Sequence, residues 1–449
     1  MKKSDGISLA SKFGIEFLGE KNGVAYFLSK HSSAELRDDL TDALGREVVV
    51  VNSIDENPLI CKVNRSKSPL DAVTLSEQIL RDGIMKCCSD VHIEPADDHW
   101  RVRMRRNGTL FLYGEYENEN YSEFVTRIKI MSEMDIGERR RPQDGRFSMT
   151  LDGKYVDVRV SSIPVKGREK LVLRLLDREG LDYTPEGVGL KGKQLEEVLK
   201  LLRQPLGLVL ICGPTGSGKT STLYTFLQLL NKVERNILTI EDPVEYAIDG
   251  INQMQVNQKA NITFTTGLES MLRQDPEVMM VGEIRSKETA EIALRSSITG
   301  HLIFSTLHTT DSPSAMIRLM DMGVEPYMLS AGVIGVISQR LVRTLCPECK
   351  RKVETQDEYF DIHGETYEPV GCPHCDSGYT GREAIFEILT LSESLRALIK
   401  PGIKPGVTLD TLRREATKEG MIPLKESLRE KIKEGSISME EAYRTIMTL

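Results

Sequence analysis

Gly213, Gly218, Lys219 and Thr220 stand in the pattern G-x-x-x-x-G-K-[ST], inside the run Gly213-Pro214-Thr215-Gly216-Ser217-Gly218-Lys219-Thr220. Glycines at this spacing let backbone N–H groups turn inward and cradle phosphate oxygens. A lysine at that place reaches the β- and γ-phosphates, and the Thr220 hydroxyl can ligate Mg²⁺. The chemistry implied is binding and hydrolysis of a nucleoside triphosphate. Two elements must present this loop. LGLVLIC before it is an apolar run that reads as a buried strand, and STLYTFLQLLNKV after it continues as an amphipathic helix. That context sets it apart from a chance glycine-rich turn.

Acidic residues follow in an order that suits the same chemistry. NILTIEDPVEY places Glu241, Asp242 and Glu245 at the end of one strand, and EVMMVGEIR places Glu283 at the end of the next. In a parallel sheet both ends lie on the carboxyl edge, where ligands bind. Acids there hold Mg²⁺ or its waters and can polarise an attacking water. Glu283 is the better metal-side acid, because four apolar residues lead into it, and Glu245 is the candidate for orienting the lytic water. The sequence does not divide base from metal holder between them. GHLIFSTLHTTD carries His301 and His308. His308 follows an apolar strand and could sense the γ-phosphate, although a lone histidine is more often structural. Upstream, Arg139, Arg140, Arg141 and Arg146 cluster, and Arg159 and Arg174 lie on apolar strands. An unpaired guanidinium there would be costly, so each needs an anion. An internal carboxylate would serve, and so would a triphosphate held at an interface.

The chain has eight cysteines. Cys61, Cys87, Cys88 and Cys212 are scattered and read as reduced, small apolar residues. Cys346-Pro-Glu-Cys349 and Cys372-Pro-His-Cys375 form two C-x₂-C knuckles separated by 22 residues. Four thiolates from two tight turns make a closed tetrahedral site, which implies a structural Zn²⁺. His374 is an available substitute ligand that the set does not need.

With 449 residues, 40% hydrophobic and 28% charged, the chain is long enough for two or three globular domains. A net charge of −8 disfavours general binding to nucleic acid or anionic lipid. No apolar run approaches the roughly 20 residues that span a bilayer, and MKKSDGISLASKFG lacks a signal-peptide core. A cytoplasmic protein is expected, with any membrane association through partners. Residues 1–66 read as a small α/β region, ending in the linker-like NRSKSP. Residues 67–186 read as a second α/β domain. Residues 187–345 alternate strands and helices, the pattern of a mostly parallel sheet with helices on both faces. Residues 346–385 carry the cysteines, and 386–449 are helical, with Ser438 and Glu441 placed for a capping box. DREGLDYTPEGVG reads as a hinge. The fold class is therefore α/β: a P-loop core with a preceding α/β domain, a small zinc-binding insertion and a helical tail.

Taken together these residues resemble the secretion ATPases of type II secretion and type IV pilus assembly, the GspE/PilB family. The match covers nearly everything after residue 68. SDVHIEP is similar to the opening strand of the family's second N-terminal domain, GPTGSGKT to its Walker A motif and ILTIEDPVEY to its Asp box. RQDPEVMMVGEIR is similar to Walker B and TGHLIFSTLHT to the His box. The four cysteines, followed by GYTGR, match the tetracysteine zinc site. The resemblance implies a RecA-like core in a cytoplasmic homohexamer that uses ATP, Mg²⁺ and Zn²⁺. Residues 1–66 would dock a partner. Arg159 and Arg174 fall on the phosphate-contacting arginines, and Arg273 and Arg285 on further arginines near the active site. Glu241 and His301 lie in the Asp and His boxes and are expected near the nucleotide. Hydrolysis would rotate the N-terminal domain against the core and drive an inner-membrane platform protein, beside a membrane anchor protein with a cytoplasmic domain.

Two departures qualify the match. The first 66 residues are short for the family, and no RLGE-type motif is present, so cyclic di-GMP is not carried over. The tetracysteine site favours an assembly motor over a retraction motor; a competence pseudopilus motor is a close alternative. A RecA-like DNA translocase is disfavoured by the acidic balance and by the lack of an aromatic–basic stripe near the cysteines. An intact Glu283 argues against a nucleotide-binding scaffold without turnover.

Overall fold

The computed structural model describes residues 15–21, 24–29, 34–44, 48–51, 71–151, 153–177, 183–372, 374–400 and 408–447. The expected linker NRSKSP and Cys61 lie outside the described residues. The chain divides into two compact units: one comprises Met1–Gly180 with Cys346–Cys349 and Val370–Tyr379, the other comprises the remainder. The boundary falls inside the DREGLDYTPEGVG segment.

The first unit holds two sheets. Strands β1 (Glu16–Lys21), β2 (Val24–Leu28) and β3 (Val48–Val51) form a small sheet with the helix Ala34–Leu44. The larger sheet contains β4 (Asp90–Pro95), β5 (His99–Arg106), β6 (Thr109–Glu117), β7 (Gln143–Leu151), β8 (Lys154–Val165) and β9 (Arg168–Asp177), in the order β6-β5-β4-β9-β8-β7. All its pairings are antiparallel. Alternate residues such as Val91, Ile93, Val158, Val160, Leu171 and Leu173 turn to one face. There they form a core with Ile79, Leu80, Phe124 and Ile128 from the helices Ala72–Met85 and Tyr121–Met131. The opposite residues carry the charges. Strand β7 was not expected from the sequence. It is an edge strand whose burial alternates between intermediate and exposed: Phe147, Met149 and Leu151 pack half-buried against the core while Arg146, Ser148 and Thr150 face out, a short period-2 pattern that the preceding polar cluster hid.

The second unit is built on β10 (Gly207–Cys212), β11 (Ile237–Glu241), β12 (Asn252–Gln255), β13 (Val278–Val281), β14 (Leu302–Leu307), β15 (Val333–Leu345) and β18 (Tyr379–Thr390). The seven strands run in the order β12-β11-β13-β14-β10-β15-β18. The pairings from β12 through to β15 are parallel. Strands β16 (Arg351–Asp357) and β17 (Ile362–Glu368) form a separate antiparallel hairpin between the cysteine knuckles. Along β10, Leu208, Leu210 and Cys212 enter one core with the helices Phe264–Met271, Lys287–Ile298 and Ser312–Asp321. Val209 and Ile211 enter the other, with Gly192–Leu202 and Lys219–Leu230. Period-2 alternation with both faces covered is what a buried parallel sheet requires. This is the RecA-like α/β architecture expected from the sequence, followed by the helices Glu393–Ile399, Leu409–Lys418, Leu424–Lys433 and Met439–Ile446. At the last of these, Ser438 Oγ accepts the Glu441 amide at 3.1 Å. The Glu441 carboxylate turns instead to Arg343 and Arg444.

Candidate functional site

Strand β10 is buried at every residue and delivers the loop at the carboxyl edge of the sheet. At Gly213 φ is +149°, and a Cβ there would lie 2.5 Å from the Gln339 carbonyl oxygen and 2.7 Å from Ser217 Oγ. Gly218 caps the next helix at φ +87°. Both positions demand glycine, because a side chain would meet backbone or a left-handed strain. We expect Gly213→Ala to lower affinity for a triphosphate by roughly tenfold or more, the scale of 1–3 kcal/mol of backbone strain. Calorimetric titration with ATP checks this, and wild-type affinity would count against it. The helix starts at Lys219, so its first-turn N–H groups and positive dipole end face the loop. Lys219 Nζ donates to the carbonyls of Gly213 at 2.8 Å and Pro214 at 3.0 Å. Burial lowers the proton affinity of this amine. Pro214, Thr215, Gly216 and Ser217 line a pocket with Arg340, Leu341, Arg444 and Thr445.

The parallel register fixes which residues share that edge. Cys212 pairs with Leu307, and Val281 with Ser305, so Glu283 and His308 emerge beside the P-loop. The Glu283 side chain is 14% exposed; Oε1 takes Arg285 Nη2 at 2.6 Å, and Oε2 lies 3.6 Å from His308 Nε2. The proton affinity of His308 is lowered by desolvation and then by the nearby Lys219 charge, against the pull of Glu283. Glu245 lies in the loop after β11, its amide donating to Tyr224 Oη at 3.3 Å. Thr220 is exposed in the first turn of the helix.

Of the other expected nucleotide contacts, Glu241 ends β11 on the same edge but is turned inward, and His301 and Arg273 lie at the opposite edge. Glu241 is only 4% exposed, and its carboxylate accepts from Tyr224, from Thr239 Oγ1 at 2.6 Å and from Gln253 Nε2 at 3.1 Å. It is a buried acceptor satisfied within the protein. His301 precedes β14, and its carbonyl takes the Gly207 amide at 3.0 Å. It therefore sits at the amino edge of the sheet, a strand length of about 20 Å from the P-loop edge. Its Nδ1 lies 3.0 Å from the Ser296 carbonyl oxygen. Arg273 is exposed on that same amino side. The adjacent Gln274 carbonyl is bound at 2.7 Å by Asn236, which precedes β11, and Arg273 Nη2 reaches Ser270 Oγ at 3.2 Å.

In the first unit the strand register builds a row on the charged face. Arg146 pairs with Arg159, Arg159 with Arg174, Arg174 with Asp90 and Asp90 with Arg105. Arg174 Nε meets Asp90 at 3.2 Å, so an internal carboxylate is present for that arginine. Four residues along β4, Glu94 takes Arg103 at 2.7 Å, Arg101 at 2.9 Å and Lys170 at 2.9 Å. Burial would raise this carboxyl, but the three cations override it and hold it down at about 2.

The Sγ atoms of Cys346, Cys349, Cys372 and Cys375 all lie within 4.8 Å of one another. Individual separations are 3.8 Å for Cys346–Cys372, 3.7 Å for Cys349–Cys375 and 3.6 Å for Cys372–Cys375. Zinc–sulfur bonds of about 2.3 Å at tetrahedral angles put sulfurs roughly 3.8 Å apart. Backbone amides of Gly371, Cys372 and Gly378 point at the sulfurs at 3.1–3.3 Å, as thiolates in knuckles require. The donor set fits Zn²⁺.

The family model described as Type II/IV secretion system protein matches residues 65–444. The chain belongs to this family. It is 42% identical over 369 residues to the type II secretion system protein E of Dickeya dadantii, covering 81% of this chain and 74% of that one. It is 39% identical over 428 residues to the type IV pilus assembly ATPase PilB of Myxococcus xanthus, covering 93% and 74%. Among solved structures, the pilus retraction motor PilT with bound ADP superposes at a TM-score of 0.58 and 26% identity, covering 82% of this chain and 96% of that one. The DotB ATPase of Yersinia pseudotuberculosis superposes at 0.66 and 20%, covering 85% and 95%, a likeness of fold.

Several residues of this family member's site were not singled out from the sequence. Arg340, 3% exposed, lies against Gly213 and donates to Gln339 O at 2.9 Å and to Thr310 O. Gln339 Oε1 accepts Thr222 Oγ1 at 2.8 Å, fixing the P-loop helix to β15. Tyr224 bridges Glu241 and the Glu245 amide. None belongs to a contiguous motif; the apolar run around Arg340 was the one available signal, since a buried arginine needs acceptors.

Proposed function

We propose that the chain is an ATP hydrolase that works as a homohexamer and drives assembly of a pilus or pseudopilus, for type IV pilus biogenesis or type II secretion. The observation that carries this reading is the placement of the P-loop, Glu283, Arg285 and His308 on one sheet edge. In this reading the P-loop amides and Lys219 bind the β- and γ-phosphates, with Lys219 exchanging two backbone carbonyls for phosphate oxygens. Thr220 and Glu283 would hold Mg²⁺, which neutralises charge on the phosphates when bound. Glu245 orients the lytic water, and His308 reports the γ-phosphate to Glu283. Arg159 and Arg174 supply further positive charge to the phosphates of the assembled hexamer. The four cysteines hold Zn²⁺ as a structural metal.

The relatives near 40% identity are named for secretion and pilus assembly, while the retraction motor is 26% identical; this supports assembly over retraction. No helix among the described residues is long and apolar enough to cross a membrane. Attachment to the inner membrane would run through a platform protein and a membrane anchor protein. The test is ATP turnover by the full chain against protein concentration, together with Arg159→Ala. Specific activity should rise with assembly, and Arg159→Ala should lower it about tenfold without lowering the melting temperature, because Arg146 and Arg174 leave part of the charge in place. A concentration-independent rate would refute the reading of a site completed by assembly, and an unchanged rate in Arg159→Ala would remove that arginine from the reaction.

A further inference from the structure

Three tyrosines of the second unit form a continuous contact that the phosphate chemistry does not use. Tyr183 lies in the segment that leads out of the first unit. Its ring centroid is 5.1 Å from that of Tyr246. Tyr246 meets Tyr224 edge-on at 4.5 Å. Tyr224 sits on the helix that opens with Lys219 and is 0% exposed. Its hydroxyl donates to Glu241 and accepts the Glu245 amide at 3.3 Å. Burial, and then the negative charge of Glu241, push the proton affinity of this phenol far up. It therefore stays a neutral donor to Glu241 at any working pH.

The loop that carries Glu245 is pinned from β12 as well. Gln255 Oε1 accepts the Val244 amide at 3.4 Å, Gln253 Oε1 accepts the Ile248 amide at 2.7 Å, and Gln253 Nε2 donates to the Tyr246 carbonyl at 3.1 Å. These bonds fix the flanks of the loop. Tyr224 is different in kind, because it ties the Glu245 backbone itself to the P-loop helix. Close-packed interiors transmit strain from one side chain to the next, and ring pairs at these separations are in packing contact. A displacement of about 1 Å at a positioned acid can cost two orders of magnitude in rate.

We propose that Tyr224 is the positioning residue that sets Glu245 against the P-loop, and that Tyr246 and Tyr183 transmit the position of the segment joining the two units into that setting. The proposal rests on the reading of Glu245 as the acid that orients water. Movement of the joining segment displaces the Tyr183 ring, Tyr246 follows, and the Glu245 amide shifts on the Tyr224 hydroxyl. Domain position and water orientation are then two readings of one contact chain.

The test uses the full chain and two readouts. Tyr224→Phe keeps the ring and removes the hydroxyl; Glu241 retains Thr239 and Gln253 as donors, so folding is preserved. We expect kcat for ATP to fall about tenfold with KM within about twofold, the loss of one bond to the loop of a positioned acid. Amide hydrogen exchange at Val244–Tyr246 should quicken in Tyr224→Phe and in Tyr183→Ala, and stay at the wild-type rate in Tyr183→Phe, which keeps the ring. Tyr183→Leu replaces Tyr183→Ala should the latter fail to fold. A wild-type kcat in Tyr224→Phe, or unchanged exchange at Val244–Tyr246 when the Tyr183 ring is removed, overturns the proposal. Absence of ATP turnover in the wild-type chain would instead sink the hydrolase reading, and the exchange arm would still decide whether the contact chain exists.

Discussion

Glu283→Gln is expected to bind ATP as the wild type does and to hydrolyse it about a thousandfold more slowly. Glutamine keeps the volume and one acceptor oxygen, so the edge of the sheet stays packed around a side chain that is 14% exposed. What it loses is the negative charge. Arg285, now 2.6 Å from Glu283, would keep a polar partner but not an ionic one, and the carboxylate proposed to hold Mg²⁺ would be gone. Interactions that strengthen only as charge develops in the transition state act on kcat, whereas ground-state contacts act on KM. In the proposed function the phosphate contacts come from the P-loop amides and Lys219, which the substitution does not touch. Steady-state phosphate release should therefore collapse while the dissociation constant measured with ATP changes by no more than about twofold. Turnover at the wild-type rate would remove Glu283 from the reaction. A large loss of ATP affinity would recast it as a residue that builds the pocket.

How much of this site the sequence made legible depended on whether the information was local. The P-loop was legible because its glycines, lysine and threonine are contiguous and flanked by a strand and a helix. Glu283 was legible because an apolar strand ends at it. The positions of three further residues were less legible, for one cause. Glu241, His301 and Arg273 were assigned by their motifs, but a motif does not tell at which end of a strand a residue emerges or which way it faces. His301 and Glu283 are both strand-flanking, yet one precedes its strand and the other follows. Glu241 is in the strand itself, where alternation sends it into a hydrogen-bonded interior. The arginine row was half legible. Arg159 and Arg174 stood out on apolar strands, but Arg146 joined them only through the register of β7, an edge strand whose inward face is half-buried. Strands β15 and β18 were missed because their apolar runs border the cysteine insertion and the tail, whose composition masked the continuation of the sheet. The tyrosine contacts were invisible, since three residues far apart in sequence meet only after the helix, loop and joining segment have packed.

Removal of zinc is expected to have the second largest effect, on structure before activity. Four sulfurs 3.6–3.8 Å apart are a poor arrangement without a cation. As thiolates they repel, and as thiols they offer only weak donors to one another. Structural zinc sites in small modules are worth on the order of 10 kcal/mol at neutral pH, more than the net stability of many domains. The protein as purified should hold about one zinc per chain by elemental analysis. A strong chelator, or Cys375→Ser, should release it. Amide exchange should then quicken first at Cys346–Lys350 and Gly371–Gly378. The effect should not stop there. Cys346 directly follows β15, and β15 pairs with β10, the strand that carries the P-loop. The Cys346 amide also donates to the Gly378 carbonyl at 2.8 Å, just ahead of β18. Loosening both knuckles frees the adjoining ends of β15 and β18, so the melting temperature should drop by roughly 5 °C or more. ATP turnover should fall as a consequence, while Lys219 and Glu283 remain in place. A metal-free chain with unchanged exchange at both knuckles and an unchanged melting temperature would show that the four cysteines close without zinc. Loss of exchange protection confined to the knuckles, with β15 still protected, would show that the cluster is an appendage rather than a brace of the sheet.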